Sequence, residues 1–144
     1  MKRYFIYIAA LLSLFTSCEI EVDSNGSLDG FWHLTSIDTL QTGGTRDMSN
    51  DKIFWSVQKK ILDVHDRQGS YGEIMFRFNH QGDSLLLSSP IVNDRTQGDI
   101  PLTRIDSLRP FGINSLNEHF LIETLNGDKM ILKSKVLQLN LRKF

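Results

Sequence analysis

Between residues 71 and 79 apolar and polar side chains alternate almost one for one. Ile74, Phe76 and Phe78 share one parity, Glu73, Arg77 and Asn79 the other, with Met75 the exception. Side chains of an extended chain point to opposite faces in turn, so this is a strand with one buried face. Turn chemistry brackets it, Arg67-Gln68-Gly69-Ser70 before and His80-Gln81-Gly82-Asp83 after. Ser84-Leu85-Leu86-Leu87-Ser88-Ser89 reads as the next strand, ended by Pro90.

The rest of the chain from Leu28 follows the same logic. In Ile53–Val64, Ile53, Trp55 and Val57 take one parity and Leu62 and Val64 the other. A strand with a bulge near Lys59-Lys60 accounts for the switch; a helix also fits the spacing of Ile53, Val57, Ile61 and Val64. The β-branched and aromatic content favours the strand. The pattern lapses between Asn93 and Asn117, where Pro101 could open a short helical turn through Leu102, Ile105 and Leu108, stopped before Pro110. Glu118–Leu125 and Lys129–Lys133 flank Asn126-Gly127, a strong hairpin signal because both residues tolerate positive φ. Leu137, Leu139 and Leu141 form one face of a last strand, reached through a tight turn at Ser134-Lys135.

Seven or eight short strands joined by hairpins, with no long helix between them, exclude a parallel α/β sheet. An antiparallel meander of this length exposes two edges unless it closes, and eight strands close around an interior that side chains fill or that holds one small ligand. The expected fold is therefore all-β, a meander closing into a small barrel of about eight strands with at most one short helical turn.

Composition narrows the function classes. With 16 basic and 17 acidic residues in 144, the chain lacks the basic excess that nucleic acid demands. One Cys excludes both an internal disulfide framework and a Cys-based zinc site. That Cys stands in a telling place. Lys2 and Arg3 precede an apolar run from Tyr4 to Leu12, and Ser13-Leu14-Phe15-Thr16-Ser17-Cys18 leads into the acidic Glu19, Glu21 and Asp23. A basic start, a short apolar core and small residues before a cut site make a secretory signal, too short for a spanning helix. Leu14-Phe15-Thr16-Ser17-Cys18 resembles a lipobox, which implies lipidation of Cys18 as the new N-terminus. The expected organisation is a signal peptide at 1–17, a flexible tether at 18–27 and the barrel domain at 28–144. The implied address is the outer membrane of a Gram-negative bacterium, on its periplasmic or its surface face. Loss of Lys2 and Arg3 takes the net charge from −1 to −3.

Leu28-Asp29-Gly30-Phe31-Trp32 resembles the Gly-x-Trp opening of lipocalin-type barrels. The resemblance implies that Gly30 lets the chain enter tightly, that Trp32 plugs the closed end, and that Arg142 in Leu141-Arg142-Lys143-Phe144 packs over the Trp. The layout as a whole is similar to small bacterial lipoproteins with a lipocalin-like domain of unassigned function. Besides the opening, the matching pieces are Arg77–Leu85, Pro110–Ile113 and Leu139–Phe144. This implies a fold and a location but no ligand, because one fold hosts many functions.

Chemistry is sparse. His33, His65, His80 and His119 form no His-Glu-x-x-His pattern. In Asp63-Val64-His65-Asp66, alternation puts Asp63 and His65 on one face and Asp66 on the other, which suits a solvated turn better than a metal site. His119 has the parity of Leu121 and belongs on the surface or rim. No Gly-x-Ser-x-Gly elbow or phosphate-binding loop is present. The expectation is a protein with no enzymatic activity, no metal and no cofactor. Asp38-Thr39-Leu40, Asp83-Ser84-Leu85 and Asp106-Ser107-Leu108 resemble a bacterial O-glycosylation tripeptide.

Two functions from different classes fit. One is a membrane-tethered barrel holding a small apolar or amphipathic ligand; the other is a filled barrel docking an envelope protein or polysaccharide. The fold resemblance tips the balance to the first, although the aromatics Phe31, Trp32, Phe54, Trp55, Phe76, Phe78 and Phe120 favour a packed interior over an open calyx. Lys129, Lys133, Lys135, Arg142 and Lys143 stand in a final segment without a carboxylate. One edge of the barrel could therefore be positive and suit an anionic partner.

Overall fold

The computed structural model describes residues 24–144; Cys18, the expected signal and most of the tether lie outside them. Ten strands follow in antiparallel succession: β1 (Gly30–Thr39), β2 (Thr45–Asp47), β3 (Ile53–Gln58), β4 (Ile61–Asp66), β5 (Glu73–Gln81), β6 (Ser84–Asp94), β7 (Gly98–Pro101), β8 (Glu118–Leu125), β9 (Lys129–Lys133) and β10 (Leu137–Lys143). Eight of them form a ring in the order β1-β3-β4-β5-β6-β8-β9-β10, closed by pairing of β10 with β1 over Trp32↔Lys143 to Thr39↔Leu137. The short strands β2 and β7 add to β1 and β6 outside this ring. Closure removes the free edges of the meander, as expected for the all-β barrel.

Local chemistry explains the turns, and it differs from expectation at three of them. The parity switch after Val57 is a complete two-residue hairpin, not a bulge within one strand. Gln58 pairs with Ile61 and Lys59 takes φ +56. That left-handed backbone costs a non-glycine residue about 1 kcal/mol; the Asn25 side-chain amide donates to the Lys59 carbonyl at 2.8 Å and steadies the turn. Pro90 does not end β6. A bulge at Ser89, φ +51, absorbs it and the strand runs on to Asp94. The β8–β9 hairpin forms at Asn126-Gly127, yet neither residue has positive φ. The Asn126 side-chain carbonyl instead accepts the N–H groups of Asp128 and Lys129, both at 2.9 Å.

A 3-10 turn, Gly26–Leu28, closes one end of the barrel beneath Trp32. A longer 3-10 segment, Ile105–Phe111, crosses the other end; Pro101 ends β7 instead of opening this segment, and Pro110 lies within it instead of stopping it. The core runs from Leu28 to Leu141 and includes Trp32, Trp55, Phe76, Phe111, Phe120 and Leu139, all 2% exposed or less. A chain that begins at Glu19 keeps all of it.

Candidate functional site

At the closed end, β1 leaves the 3-10 turn through Gly30 at φ +121, where a Cβ would stand 2.8 Å from Lys143 Cε. Trp32 is fully buried and donates Nε1–H to the Leu28 carbonyl at 2.9 Å. The cation over its ring is Lys143, with Nζ 4.5 Å from the ring centroid and 3.0 Å from the Ser27 carbonyl. Arg142, the expected partner, points outward and is exposed. The reason is register: Trp32 pairs with Lys143, whereas Arg142 pairs with the outward-facing His33. Lys143 has the parity of Leu139 and Leu141 and so faces the interior.

The opposite end is plugged. Leu108, Phe111 and Ile113 are fully buried, and the Phe111 carbonyl accepts a hydrogen bond from Trp55 Nε1 at 3.3 Å. Gly112 ends the segment at φ +80, with the Leu139 side chain so close that no Cβ could stand between them. Midway, the Trp55 and Phe120 rings meet edge to face at 5.7 Å. Side chains thus fill the space that an open calyx would leave to a ligand.

Asp63, His65 and Asp66 line one concavity of about 430 Å³ with Phe31 and Glu73; the other polar candidates sit apart. His65 Nδ1 lies 2.7 Å from Asp63 Oδ2 on the outer face, as alternation predicted for that pair. Asp66 faces the other way, is largely buried, and accepts the N–H groups of Gln68 and Ser70, each at 2.8 Å. The other buried carboxylate, Glu118, accepts the Asn114 N–H at 2.7 Å. Each of these two closes a loop and they form no pair. Among the described residues no group of three or more His, Cys, Asp or Glu could hold a metal. His119 is exposed and lies 2.8 Å from Ser84 Oγ. Of the three tripeptide hydroxyls, that of Ser107 stands on an exposed residue and those of Thr39 and Ser84 on half-buried ones.

Two outer-face features escaped the sequence. Phe54 has outward parity but is 3% exposed. His33 stacks on one side of it at 5.0 Å and His65 on the other at 5.9 Å, a row across β1, β3 and β4. Arg67 and Phe144 complete the cover. Next to this row, a groove of about 690 Å³ crosses the outer face of β4, β5 and β6. Ile61, Met75 and Ile91 give it an apolar floor; Lys60 and Arg77 stand at one end and Asp99 of β7 at the other. The bulge at Ser89 bends β6 and makes the face concave. Met75, the exception to the alternation of β5, was the signal: it is an apolar residue on the outer parity, opposite Ile91.

An eight-stranded up-and-down ring, sealed at one end by a Trp behind a Gly-x-Trp entry, defines a lipocalin-type barrel, a fold that generally binds rather than catalyses. The chain belongs to the lipocalin-like domain family, whose model matches residues 13–144. Among solved structures it is similar to a lipocalin-like protein from Bacteroides uniformis ATCC 8492, at TM-score 0.64 and 18% identity, covering 83% of this chain and 100% of that one. It is also similar to an uncharacterized protein from Bacteroides eggerthii DSM 20697, at TM-score 0.57 and 18% identity, covering 81% of this chain and 98% of that one. No curated protein matches the sequence.

Proposed function

We propose that this chain is a non-catalytic binding module, held at a bacterial envelope by a lipid on Cys18, and that its small amphipathic ligand lies in the groove outside the barrel. The carrying observation is the contrast between the two spaces. The interior is occupied by side chains and capped by Leu108 and Phe111, while the groove offers about 690 Å³ with an apolar floor and a cationic end. That volume is within the range of small-molecule sites, about 300–1,000 Å³. The basic start, apolar run and Cys18 support the address, as does the Bacteroides origin of the similar structures.

The test is a titration of the chain from Glu19 onward with an anionic fluorescent probe such as an anilinonaphthalene sulfonate. Saturable binding that Ile61→Asp or Met75→Asp weakens at least tenfold supports the outer site. Binding untouched by both variants removes it.

The exposed Phe31 and Phe144, 46% and 77% accessible, favour a second reading in which the filled barrel docks an envelope protein or polysaccharide. It predicts a cross-link in the native host that Phe31→Ala with Phe144→Ala abolishes while probe binding persists.

A further inference from the structure

The groove opens on the side where the chain enters the barrel. Asn25 is fixed there, because its side-chain amide donates to the Lys59 carbonyl at 2.8 Å and to Asp29 at 2.6 Å. Ser24 and Asn25 border a second concavity, of about 380 Å³, and Lys60 and Phe78 border both this concavity and the groove. Whatever precedes Ser24 therefore starts beside the cationic end of the groove. Among the described residues, Lys59, Lys60 and Arg77 make no ion pair. Both carboxylate oxygens of Asp29 accept from Asn25. Asp99, the one carboxylate among the residues lining the groove, stands at its other end.

The segment before Ser24 is Glu19-Ile20-Glu21-Val22-Asp23. When such a segment is extended, Ile20 and Val22 share one face and the three carboxylates share the other. A mere spacer would leave those two apolar side chains in water; an apolar floor with cations beside it suits both faces. The spacing agrees as well. Ile61 pairs with Arg77, and Met75 lies two residues further along β5, which is about 7 Å. Val22 and Ile20 are also two residues apart. The five residues reach about 17 Å when extended, enough to lay both over the floor from an origin at Ser24. Because the segment belongs to the same chain, its effective concentration at the groove is on the order of millimolar, so weak contacts suffice.

We propose that Glu19–Asp23 seats in the groove while the groove holds no ligand. Val22 lies over Ile61 and Ile20 over Met75, and Glu21 and Asp23 meet Lys60 and Arg77. The ligand binds by displacing this segment, so that filling the groove frees the link between the barrel and Cys18. The displacement step rests on the outer-groove reading given above; the seating of the segment rests on the groove alone.

The experiment uses the unlipidated chain from Cys18 onward, with a nitroxide on Cys18, its only cysteine. Methyl NMR should show Met75 and Ile91 broadened well beyond Leu86 and Leu121, which stand exposed on β6 and β8. Ile20→Ser with Val22→Ser keeps every charge and should even out the broadening. The anionic probe should reverse the broadening at Met75 and Ile91 as it binds. It should also bind the double serine variant about tenfold tighter, the factor expected where the segment holds the groove roughly nine-tenths of the time. Equal broadening on the two faces, or broadening that the serine pair leaves unchanged, overturns the proposal. If the probe still binds at Ile61 and Met75 in that case, the ligand site stands and only the seated segment falls. Uneven broadening with a probe that Ile61→Asp leaves untouched keeps the segment in the groove and removes the ligand site.

Discussion

Gly112→Ala reports directly on whether the mouth of the barrel is filled. Gly112 stands at φ +80, and a Cβ there collides with Leu139, which is fully buried. Two costs follow. Left-handed backbone costs an alanine about 1 kcal/mol. Displacing Leu139 within a filled interior adds about 1–3 kcal/mol, for a total loss of about 2–4 kcal/mol. Gly98 isolates the first cost: it takes φ +84, but a Cβ there meets nothing within 4 Å. Gly98→Ala should therefore lose about 1 kcal/mol. In a Leu139→Ala background the collision disappears, so Gly112→Ala should again cost only about 1 kcal/mol, and the two changes should be non-additive by about 1–3 kcal/mol. Urea unfolding of the chain from Glu19 onward measures all of these, provided the m-value holds constant. If Gly112→Ala costs no more than Gly98→Ala, or costs the same in both backgrounds, the Ile105–Phe111 segment does not pack on Leu139 and the mouth is not closed as described.

Three further outcomes follow from single contacts. Lys143→Gln should lose about 1 kcal/mol with the cation over Trp32, whereas Arg142→Gln should stay within about 0.5 kcal/mol of wild type; equal losses in urea would contradict the register at the end of β10. Phe54→Ala, on the outer face yet 3% exposed, should lose about 3 kcal/mol. Phe144→Ala should lose about 1 kcal/mol or less, and thermal unfolding of both variants checks the contrast. The hydroxyl of Thr96, then its backbone N–H, hold the Asp94 carboxyl below the ordinary aspartate range. Because its folded pKa is depressed, any stability it lends is present above the unfolded value and is lost as pH falls through the folded one. A carboxyl-carbon NMR titration should show Asp94 moving up toward the ordinary range in Thr96→Val; an unchanged midpoint would contradict this.

The sequence carried the ring better than its details. Alternation in Ile74–Phe78 and Leu137–Leu141 sets which face is buried, and the barrel follows from the number of such strands and the need to close their edges. What failed was chemistry that depends on a few backbone angles. Lys59-Lys60 carries no turn residue, so its hairpin read as a bulge, although Val57 facing Leu62 across it explains both parities. Pro90 read as a stop because the preceding bulge at Ser89 is invisible in a run of serines and leucines. The short β7 lies in Gly98–Pro101, where nothing alternates long enough to announce a strand. At the closed end the family resemblance pointed to Arg142, and parity overrules it: Lys143, not Arg142, is in phase with Leu139 and Leu141. The groove was least legible, because outward apolar residues such as Ile61 and Met75 register only as exceptions to a pattern, and only the register of β4, β5 and β6 brings them together.

The claim that the ligand lies outside a filled barrel is tested most directly by methyl NMR of the chain from Glu19 onward, titrated with the anionic probe. Shifts confined to Ile61, Met75 and Ile91 are the predicted result. Shifts at the interior methyls of Leu34, Val57, Leu85 and Leu132, with the groove silent, would place the ligand inside the barrel and contradict the account.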